Sequence, residues 1–150
     1  VLTADCMPVL LCNRRGDQVA AVHAGWRGLA SGILENAIDI FTDPVEQIMV
    51  YLGPAIGPTA FEVGSDVHDA FLGASMPPHQ IKLIQNSFKP TGEKYLADLY
   101  SLARLKLLAL GIRDIYGGGF CTVSDEKRFF SYRRDVVTGR NATLIWLARA

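Results

Sequence analysis

The fold is decided by two blocks of sequence, Thr3-Ala4-Asp5-Cys6-Met7-Pro8 and Ala21-Val22-His23-Ala24-Gly25-Trp26-Arg27-Gly28. Each block adjoins an apolar, β-prone run, and the two runs are joined by the polar segment Asn13-Arg14-Arg15-Gly16-Asp17. Two such runs connected by a short link that contains glycine predict a β-hairpin. We therefore expect strands over residues 6–12 and 18–24.

The register of this hairpin decides whether Cys6 and His23 can act together. If the turn is centred between Arg14 and Arg15, the two side chains lie directly opposite each other, with Cβ atoms about 4.5–5.5 Å apart. They could then share a tetrahedral Zn²⁺, or the imidazole could deprotonate the thiol for covalent attack on an acyl or amide carbon. The simpler alternative is two semi-buried residues that only pack. Asp5 would point away from this face unless the backbone bends there.

Apolar periodicity and turn residues predict the other elements. Helices are predicted over residues 29–41, 66–72 with Ser65 as N-cap, and 96–110 with Gly111 as the C′ residue. Strands are predicted over residues 48–52, 81–83, 112–116 and 142–148. Exposed loops are predicted at residues 76–79 and 89–92. Together these elements predict an α+β fold, one domain over residues 1–150 in which mixed sheets and helices pack in layers.

The composition excludes several classes of protein. The 15 basic side chains balance the 15 acidic ones, so no excess charge is present to attract nucleic acid or an anionic membrane. No apolar run reaches membrane-spanning length, and no signal-peptide pattern is visible. Three cysteines are too few for a dense disulfide framework, and we expect a cytoplasmic protein. Because the chain opens inside a strand-like run, we expect it to be the C-terminal portion of a longer protein.

Two further segments are candidates for ligand binding. Gly25-Trp26-Arg27-Gly28 lies between a strand end and a helix start, where free N–H groups suit an anion and Arg27 could bind a phosphate. The alternative there is a Gly-bounded turn with a surface arginine. Residues 129–134 alternate aromatic and basic side chains. This pattern indicates either an aromatic wall for a flat ligand, with Arg133 or Arg134 beside it, or a half-buried strand.

The remaining glycine, histidine and cysteine residues are assigned to structural roles. Residues 53–57 and 117–119 match no phosphate-loop or dinucleotide fingerprint and are interpreted as tight turns. His68 and His79 are expected at the surface. Cys12 and Cys121 are expected to be core thiols, although Cys121, beside the triple glycine, could lie near a site.

Several motifs together resemble one protein family, the bacterial YfiH/YlmD-like group. The motifs are residues 3–8, 23–28, 53–58, 61–64, 129–134 and 138–140. This group is also called the laccase-domain or multicopper polyphenol oxidase family and has a human relative, laccase domain-containing protein. The resemblance runs over essentially the whole chain, and the order and spacing of the Cys and His blocks are highly specific.

The resemblance implies a layered α+β fold likened to the catalytic domain of cytotoxic necrotizing factor. It also implies a zinc site of two histidines and one cysteine, in which Cys6 and His23 match the second and third ligands. The first ligand of the family lies in an upstream Gln-x-His-Gly-type motif, which this sequence does not contain.

Several activities follow from the resemblance as expectations. They are phosphorolysis of adenosine, inosine and methylthioadenosine, adenosine deamination, and copper-dependent phenol oxidation, and some members are called peptidoglycan editing factors. Three histidines in all suit one Zn²⁺ better than a multicopper centre, so we rank oxidase chemistry low. In purine chemistry the candidate roles are phosphate binding by Arg27, Arg133 or Arg134, stacking on the purine by Phe130 or Tyr132, and proton transfer by Glu62 or Asp5.

Two other classes of function stay open on the sequence. One is a metal-free Cys–His hydrolase or amidase, with Cys6 as nucleophile, acting on a peptide or peptidoglycan precursor. The other is a structural domain without turnover. In the favoured class the partners are a nucleoside and phosphate, with no nucleic acid and no membrane.

Overall fold

The computed structural model describes residues 1–72 and 78–148. The helices are α1 (Trp26–Ala30), α2 (Ile33–Ile38), α3 (Ser65–Phe71), α4 (Pro78–Gln85), α5 (Leu99–Ala109) and α6 (Tyr132–Asp135). The strands are β1 (Leu2–Thr3), β2 (Met7–Asn13), β3 (Val19–Ala24), β4 (Ile48–Leu52), β5 (Glu62–Val63), β6 (Phe88–Thr91), β7 (Lys94–Ala97), β8 (Asp114–Gly117) and β9 (Asn141–Ala142). The mixture confirms the predicted α+β class.

A four-stranded sheet in the order β3-β2-β4-β8 forms the centre of the fold. Strand β2 is antiparallel to β3 and β4, whereas β8 runs parallel to β4. Val9, Leu11 and Leu52 on one face are fully buried, in one apolar cluster with residues of α2 and α5. On the opposite face Tyr51 and Tyr116 are 39% and 55% exposed. The helices therefore cover one face of this sheet.

The β2–β3 hairpin is confirmed, but the predicted pairing of Cys6 with His23 is wrong. Pro8 is paired with His23, so the turn is centred between Arg15 and Gly16. The true register is displaced by two residues. Because side chains alternate with a period of two, such a displacement leaves every β2 side chain on its predicted face.

The side chain of Asn13 accounts for the longer turn. Its Oδ1 accepts hydrogen bonds from the backbone N–H groups of Asp17 and Gln18 at 3.1 and 3.0 Å. Its own backbone N–H donates to the Gln18 carbonyl at 3.2 Å. Asn13 thereby closes the turn one residue later than the polarity of the segment suggested.

The single helix predicted over residues 29–41 is two helices, α1 and α2. They are separated by Gly32, which has φ +86 in the left-handed region that glycine adopts readily. The apolar periodicity continues across this break because Leu29 and Leu34 are both fully buried in the core. Periodicity alone therefore could not reveal the interruption.

Helix α5 confirms most of the long helix predicted over residues 96–110. It begins at Leu99 because the Asp98 carboxylate accepts a hydrogen bond from Ser101 N–H at 3.0 Å and caps the helix. The two residues before the cap belong to β7. Gly111, with φ +95, is confirmed as the C′ residue.

The predictions for residues 76–97 are largely wrong. The strand predicted over 81–83 lies inside α4, whose first residue is Pro78, a favourable position for proline because no helical N–H is lost there. The loop predicted over 89–92 is the end and turn of a β6–β7 hairpin, which joins β5 in a three-stranded sheet. The first two residues of the predicted 76–79 loop lie outside the described residues.

Of the remaining predictions, some are confirmed and others are wrong in part. The strand over residues 48–52 is confirmed as β4, and the strand over 112–116 is found as β8. The helix predicted over 66–72 begins one residue earlier, with Gly64 as its N-cap. The strand predicted over 142–148 is wrong beyond β9, which pairs with β1. In the part of the chain that is described, no helix is long and apolar enough to cross a membrane.

Candidate functional site

A pocket of about 330 Å³ brings together several of the candidate residues. It is lined by Ala4, Asp5, Cys6, Trp26, Arg27, Ile56, Phe61, Leu99, Tyr132 and Arg133. We call it the Cys6 pocket. Four other candidates, His23, Glu62, Phe130 and Arg134, are not among its lining residues.

Cys6 lies at the end of the bend that precedes β2. A Cβ placed on Gly25 would lie 2.9 Å from the Cys6 Sγ, so glycine is needed there to leave room for the thiol. Burial, followed by the negative charge of Asp5, raises the pKa of Cys6. A thiol in this setting stays protonated at neutral pH unless a cation is bound close to it.

His23 is exposed on β3, directly opposite Pro8. Cys6 is two residues before Pro8, and diagonal neighbours of this kind are typically about 7–8 Å apart, closer between side-chain tips. Within residues 1–72 and 78–148, no group of three or more His, Cys, Asp and Glu side chains is placed to hold a metal ion. A catalytic zinc has three protein ligands. Cys6 and His23 therefore do not suffice, and a zinc site here needs a ligand from outside the described residues.

Asp5 has an unusual backbone conformation, and both oxygens of its side chain accept hydrogen bonds. Its φ of +88 supplies the bend that the sequence required for this residue to turn toward the site. The carboxylate is buried, and its oxygens accept hydrogen bonds from Thr122 Oγ1 and from the Arg133 backbone N–H, each at 2.6 Å. Asp5 thus joins the pocket wall to two distant parts of the chain.

Two guanidinium groups reach the pocket. Arg27 stacks over the Trp26 ring at 4.3 Å. Arg133 donates to the Glu62 backbone carbonyl at 3.1 Å and lies 5.7 Å from the centre of the Phe61 ring. Each guanidinium has five N–H donors, so both retain donors for an anion.

The neighbouring Arg134 has a different role. Its guanidinium donates to the carbonyls of Thr122, Val123 and Phe129 and forms an ion pair with Asp135. These contacts hold the backbone of the preceding segment together and use most of the available donors. Arg134 therefore stabilises the local backbone and is not among the residues that line the pocket, a difference from Arg133 that the sequence could not show.

The aromatic and acidic candidates also differ in whether they reach the pocket. Tyr132 lines the pocket, whereas Phe130 packs against Gly139, where an added Cβ would lie 2.9 Å from the ring. The Glu62 carboxylate forms an ion pair with Lys94 at 2.7 Å, and that hydrogen bond and charge lower the pKa of Glu62. The predicted half-buried strand over residues 129–134 is wrong, since its second half is α6.

Sequence reasoning missed Tyr100, which ties the loop beside the pocket to the rest of the fold. Its hydroxyl accepts from Ala55 N–H at 2.8 Å and lies 2.8 Å from the Phe120 carbonyl and 3.1 Å from that of Gly53. Burial raises the pKa of Tyr100 to about 12, so the hydroxyl is protonated at neutral pH. The helical pattern around Tyr100 indicated a core position and nothing more.

The remaining histidines and cysteines are not among the residues that line this pocket. His68, expected at the surface, is only 16% exposed in its side chain and stacks on Tyr95 at 4.7 Å. His79 lines a separate apolar pocket between α4 and α5. Cys12 and Cys121, expected in the core, are both only partly buried.

Known proteins confirm the resemblance proposed on the motifs. The fold places the chain in the class of mixed α+β proteins. A family model described as "Multi-copper polyphenol oxidoreductase laccase" matches residues 1–148. The chain is 52% identical over 147 residues to "Purine nucleoside phosphorylase YfiH" of Escherichia coli (strain K12), covering 98% of this chain and 58% of that protein. It is 50% identical over 149 residues to "Purine nucleoside phosphorylase PA4543" of Pseudomonas aeruginosa, covering 98% and 59%.

Solved structures agree with these matches. The crystal structure of Neisseria meningitidis protein NMB0706 superposes with a TM-score of 0.85 at 52% identity, covering 93% of this chain and 56% of that one. YlmD from Geobacillus stearothermophilus gives a TM-score of 0.80 at 34% identity, covering 93% and 53%. The chain belongs to the YfiH family of laccase-like domain proteins. It spans somewhat more than half the length of the relatives it matches.

Proposed function

We propose that this chain supplies the Cys6 pocket of a purine nucleoside phosphorylase, an enzyme that splits purine nucleosides with inorganic phosphate. The observation that supports it is the joint presence of Arg27 and Arg133 with the aromatic side chains of Trp26, Phe61 and Tyr132 around one cavity. Guanidinium groups suit a phosphate, and aromatic rings suit a flat purine. The names of several relatives are consistent with this assignment.

In phosphorolysis a phosphate oxygen bonds to C1′ of the ribose while the bond from C1′ to the purine nitrogen breaks. Arg27 and Arg133 would hold the phosphate and neutralise its charge as the oxygen attacks. Tyr132 is the better stacking candidate, because Phe130 packs on Gly139 outside the pocket lining. The departing purine takes up a proton, and Glu62 is not suited to supply it, because it is not among the residues that line the pocket and its ion pair with Lys94 lowers its pKa. The phosphate or water is therefore the proton source in this proposal.

Zinc is part of the proposal, with Cys6 and His23 as two of its ligands and the third outside the described residues. When bound, zinc supplies a Lewis acid that lowers the pKa of water. Adenosine deamination is the second activity we propose for the same pocket, because water activated in this way attacks amino-purines in other zinc deaminases. Methylthioadenosine is proposed as a further phosphorolysis substrate.

The two competing functions have less support. A metal-free Cys–His hydrolase needs an activated thiolate, whereas burial and Asp5 raise the pKa of Cys6. A multicopper oxidase needs clustered histidines, whereas His23 lies on β3, His68 stacks on Tyr95 and His79 lies on α4.

The proposal is tested on the full-length protein with a nucleoside, inorganic phosphate and chromatographic detection of the free base, alongside metal analysis. We expect Cys6→Ala to abolish zinc binding, phosphorolysis and deamination together. Cys12→Ala, which removes a thiol from the same strand region without touching the pocket, is the matched control and should retain all three. Turnover that survives in a zinc-free Cys6→Ala protein contradicts the proposal, and turnover that resists chelators but not alkylation favours the hydrolase.

A further inference from the structure

Asp5 adopts a backbone conformation that must be held by its surroundings. Among the described residues, only Asp5 and Val136 have positive φ without being glycine. Such conformations are uncommon for residues with a side chain and persist where neighbouring contacts over-determine them. The contacts of Asp5 should therefore explain why the bend is kept.

Those contacts join three segments that are far apart in sequence. The Asp5 backbone carbonyl accepts from Ile56 N–H at 2.9 Å, and its carboxylate accepts from Thr122 and Arg133 as described above. Thr122 is fully buried, and its backbone N–H donates to the Ala55 carbonyl at 3.0 Å. One residue next to Cys6 thus links the 55–56 loop, residue 122 and the start of α6.

Helix α6 depends on such an anchor. It has four residues, too few for a helix to be stable alone. Its first N–H groups need acceptors, and Asp5 and Ser131 provide them, with the Asp5 charge favourable at a helix N-terminus. The same first turn carries Tyr132 and Arg133, both of which line the pocket.

We propose that Asp5 is a positioning residue whose carboxylate anchors the first turn of α6 and so holds Tyr132 and Arg133 against the Cys6 pocket. It is an alternative to the proton transfer predicted for Asp5, and it uses one acceptor site on each carboxylate oxygen. The anchor itself stands on geometry alone. Its effect on turnover rests on the proposed phosphorylase function.

The variant Asp5→Asn distinguishes an anchoring role of Asp5 from a role in proton transfer. An asparagine has the same shape, and its Oδ1 can accept from Arg133 N–H while its Nδ2 donates to the Thr122 hydroxyl, so the anchor is kept and the charge is lost. We expect Asp5→Asn to lower kcat by no more than about tenfold, through the lost charge beside Cys6, and to keep the KM for phosphate near the parent value, whereas loss of a general acid or base lowers kcat about 10²- to 10⁴-fold. Such a loss of kcat in Asp5→Asn overturns the proposal.

Asp5→Ala and Thr122→Val break the anchor on its two sides. We expect Asp5→Ala to raise the KM for phosphate on the order of tenfold, with a smaller fall in kcat, since Arg133 is no longer held in place. Thr122→Val should act in the same direction but less, and Thr122→Ser, which keeps the hydroxyl, should restore the parent values. A Thr122→Val protein with an unchanged KM, or one that Thr122→Ser fails to rescue, contradicts the anchor.

Amide hydrogen exchange tests the anchor without any turnover. The Arg133 N–H should exchange faster in Asp5→Ala than in the parent and in Asp5→Asn, while amides of β4 stay unchanged. If the parent shows no phosphorolysis, the proposed function fails and this comparison still decides on the anchor. If Asp5→Ala does not fold, Thr122→Val takes its place. Equal exchange at Arg133 in parent and anchor-breaking variant overturns the inference.

Discussion

The Cys6 pocket and the Cys121 loop, residues 120–125, each contain a partly buried thiol, yet the protein acts on the two in opposite directions. Burial and the Asp5 charge raise the pKa of Cys6. Burial also acts to raise the pKa of Cys121, but hydrogen bonds from the Ser124 side chain and from the backbone of Ser124, Gly57 and Val123 outweigh it and lower the pKa. The comparison teaches that burial decides the direction of the pKa shift at Cys6, whereas donors aimed at the sulfur reverse it at Cys121.

The contacts of the two sulfur atoms differ as well. Gly57 N–H donates to the Cys121 Sγ at 3.2 Å, so the thiol is held by the backbone. The Cys6 Sγ is instead confined by Gly25, where an added Cβ would lie 2.9 Å away. Cys121 is thus satisfied by its own chain, whereas Cys6 sits in a close-fitting space beside a pocket and is suited to an external partner.

The largest expected effect is the difference between an alanine substitution at Gly25, beside Cys6, and one at Gly57, beside Cys121. Gly25→Ala pushes against the Sγ of Cys6, which unlike a Cβ can change rotamer, so we expect the thiol to rotate with little loss of stability but about 10²-fold loss of turnover. Gly57→Ala meets the Cβ of Cys121 at 2.9 Å, which cannot rotate away, so we expect about 1–3 kcal/mol of destabilisation. Urea unfolding and nucleoside turnover measure both.

Gly119→Ala is the matched control for this pair, because a Cβ added there would meet no heavy atom within 4 Å and the φ of Gly119 is not positive. It should leave stability and turnover unchanged. If Gly25→Ala and Gly57→Ala lose stability equally, the contrast is contradicted, because it assumes that the Cys6 Sγ can rotate away from an added methyl group and that the Cys121 Cβ cannot.

An effect on stability without a matching loss of turnover is expected at Tyr100, which connects the two regions through Ala55 and the Phe120 carbonyl. Tyr100→Phe leaves the buried Ala55 N–H without its acceptor, so we expect about 1–3 kcal/mol of destabilisation. Tyr51→Phe, on the exposed sheet face, is the control and should change little. Thermal unfolding followed by circular dichroism distinguishes them, and equal melting temperatures for the two variants would count against the bridging role.

The smallest effect changes no fold and appears in the pH dependence of alkylation. Because the pKa of Cys121 is lowered and that of Cys6 is raised, the Cys121 thiolate forms at lower pH, and its iodoacetamide rate in metal-free protein should rise first. Ser124→Ala should move the Cys121 profile to higher pH and leave Cys6 unaltered. Site-resolved mass spectrometry reads both rates, and profiles that coincide contradict the assignment.

Local signals in the sequence were sufficient for some elements and misleading for others. The hairpin, β4 and the C′ position of Gly111 were predicted because turn residues and continuous apolar runs act over a few positions. Residues 81–83 form part of a helix in which Ile84 is buried in the core, a placement that a short apolar run does not reveal. The hairpin register was missed because Asn13 caps its own turn.

The candidate site divides along the same line. The Cys and His blocks identified the family. Of the residues predicted for the site, one pocket is lined by Asp5, Cys6, Arg27, Tyr132 and Arg133, and its lining does not include His23, Glu62, Phe130 and Arg134. The sequence could not tell Arg133 from Arg134. The two side chains leave a short helix in different directions, and only packing decides which one meets the pocket and which one holds carbonyls.

By itself, the sequence determined the α+β class, the hairpin, the C′ position of Gly111 and membership of the family, because each depends on short motifs whose residues are close together in the chain. The tertiary structure alone decided the register at His23, the bend at Asp5 and the separate tasks of the two arginines. Asp5 meets partners 117 and 128 positions away. Contacts over such separations form only when the whole core closes, so no local pattern can specify them.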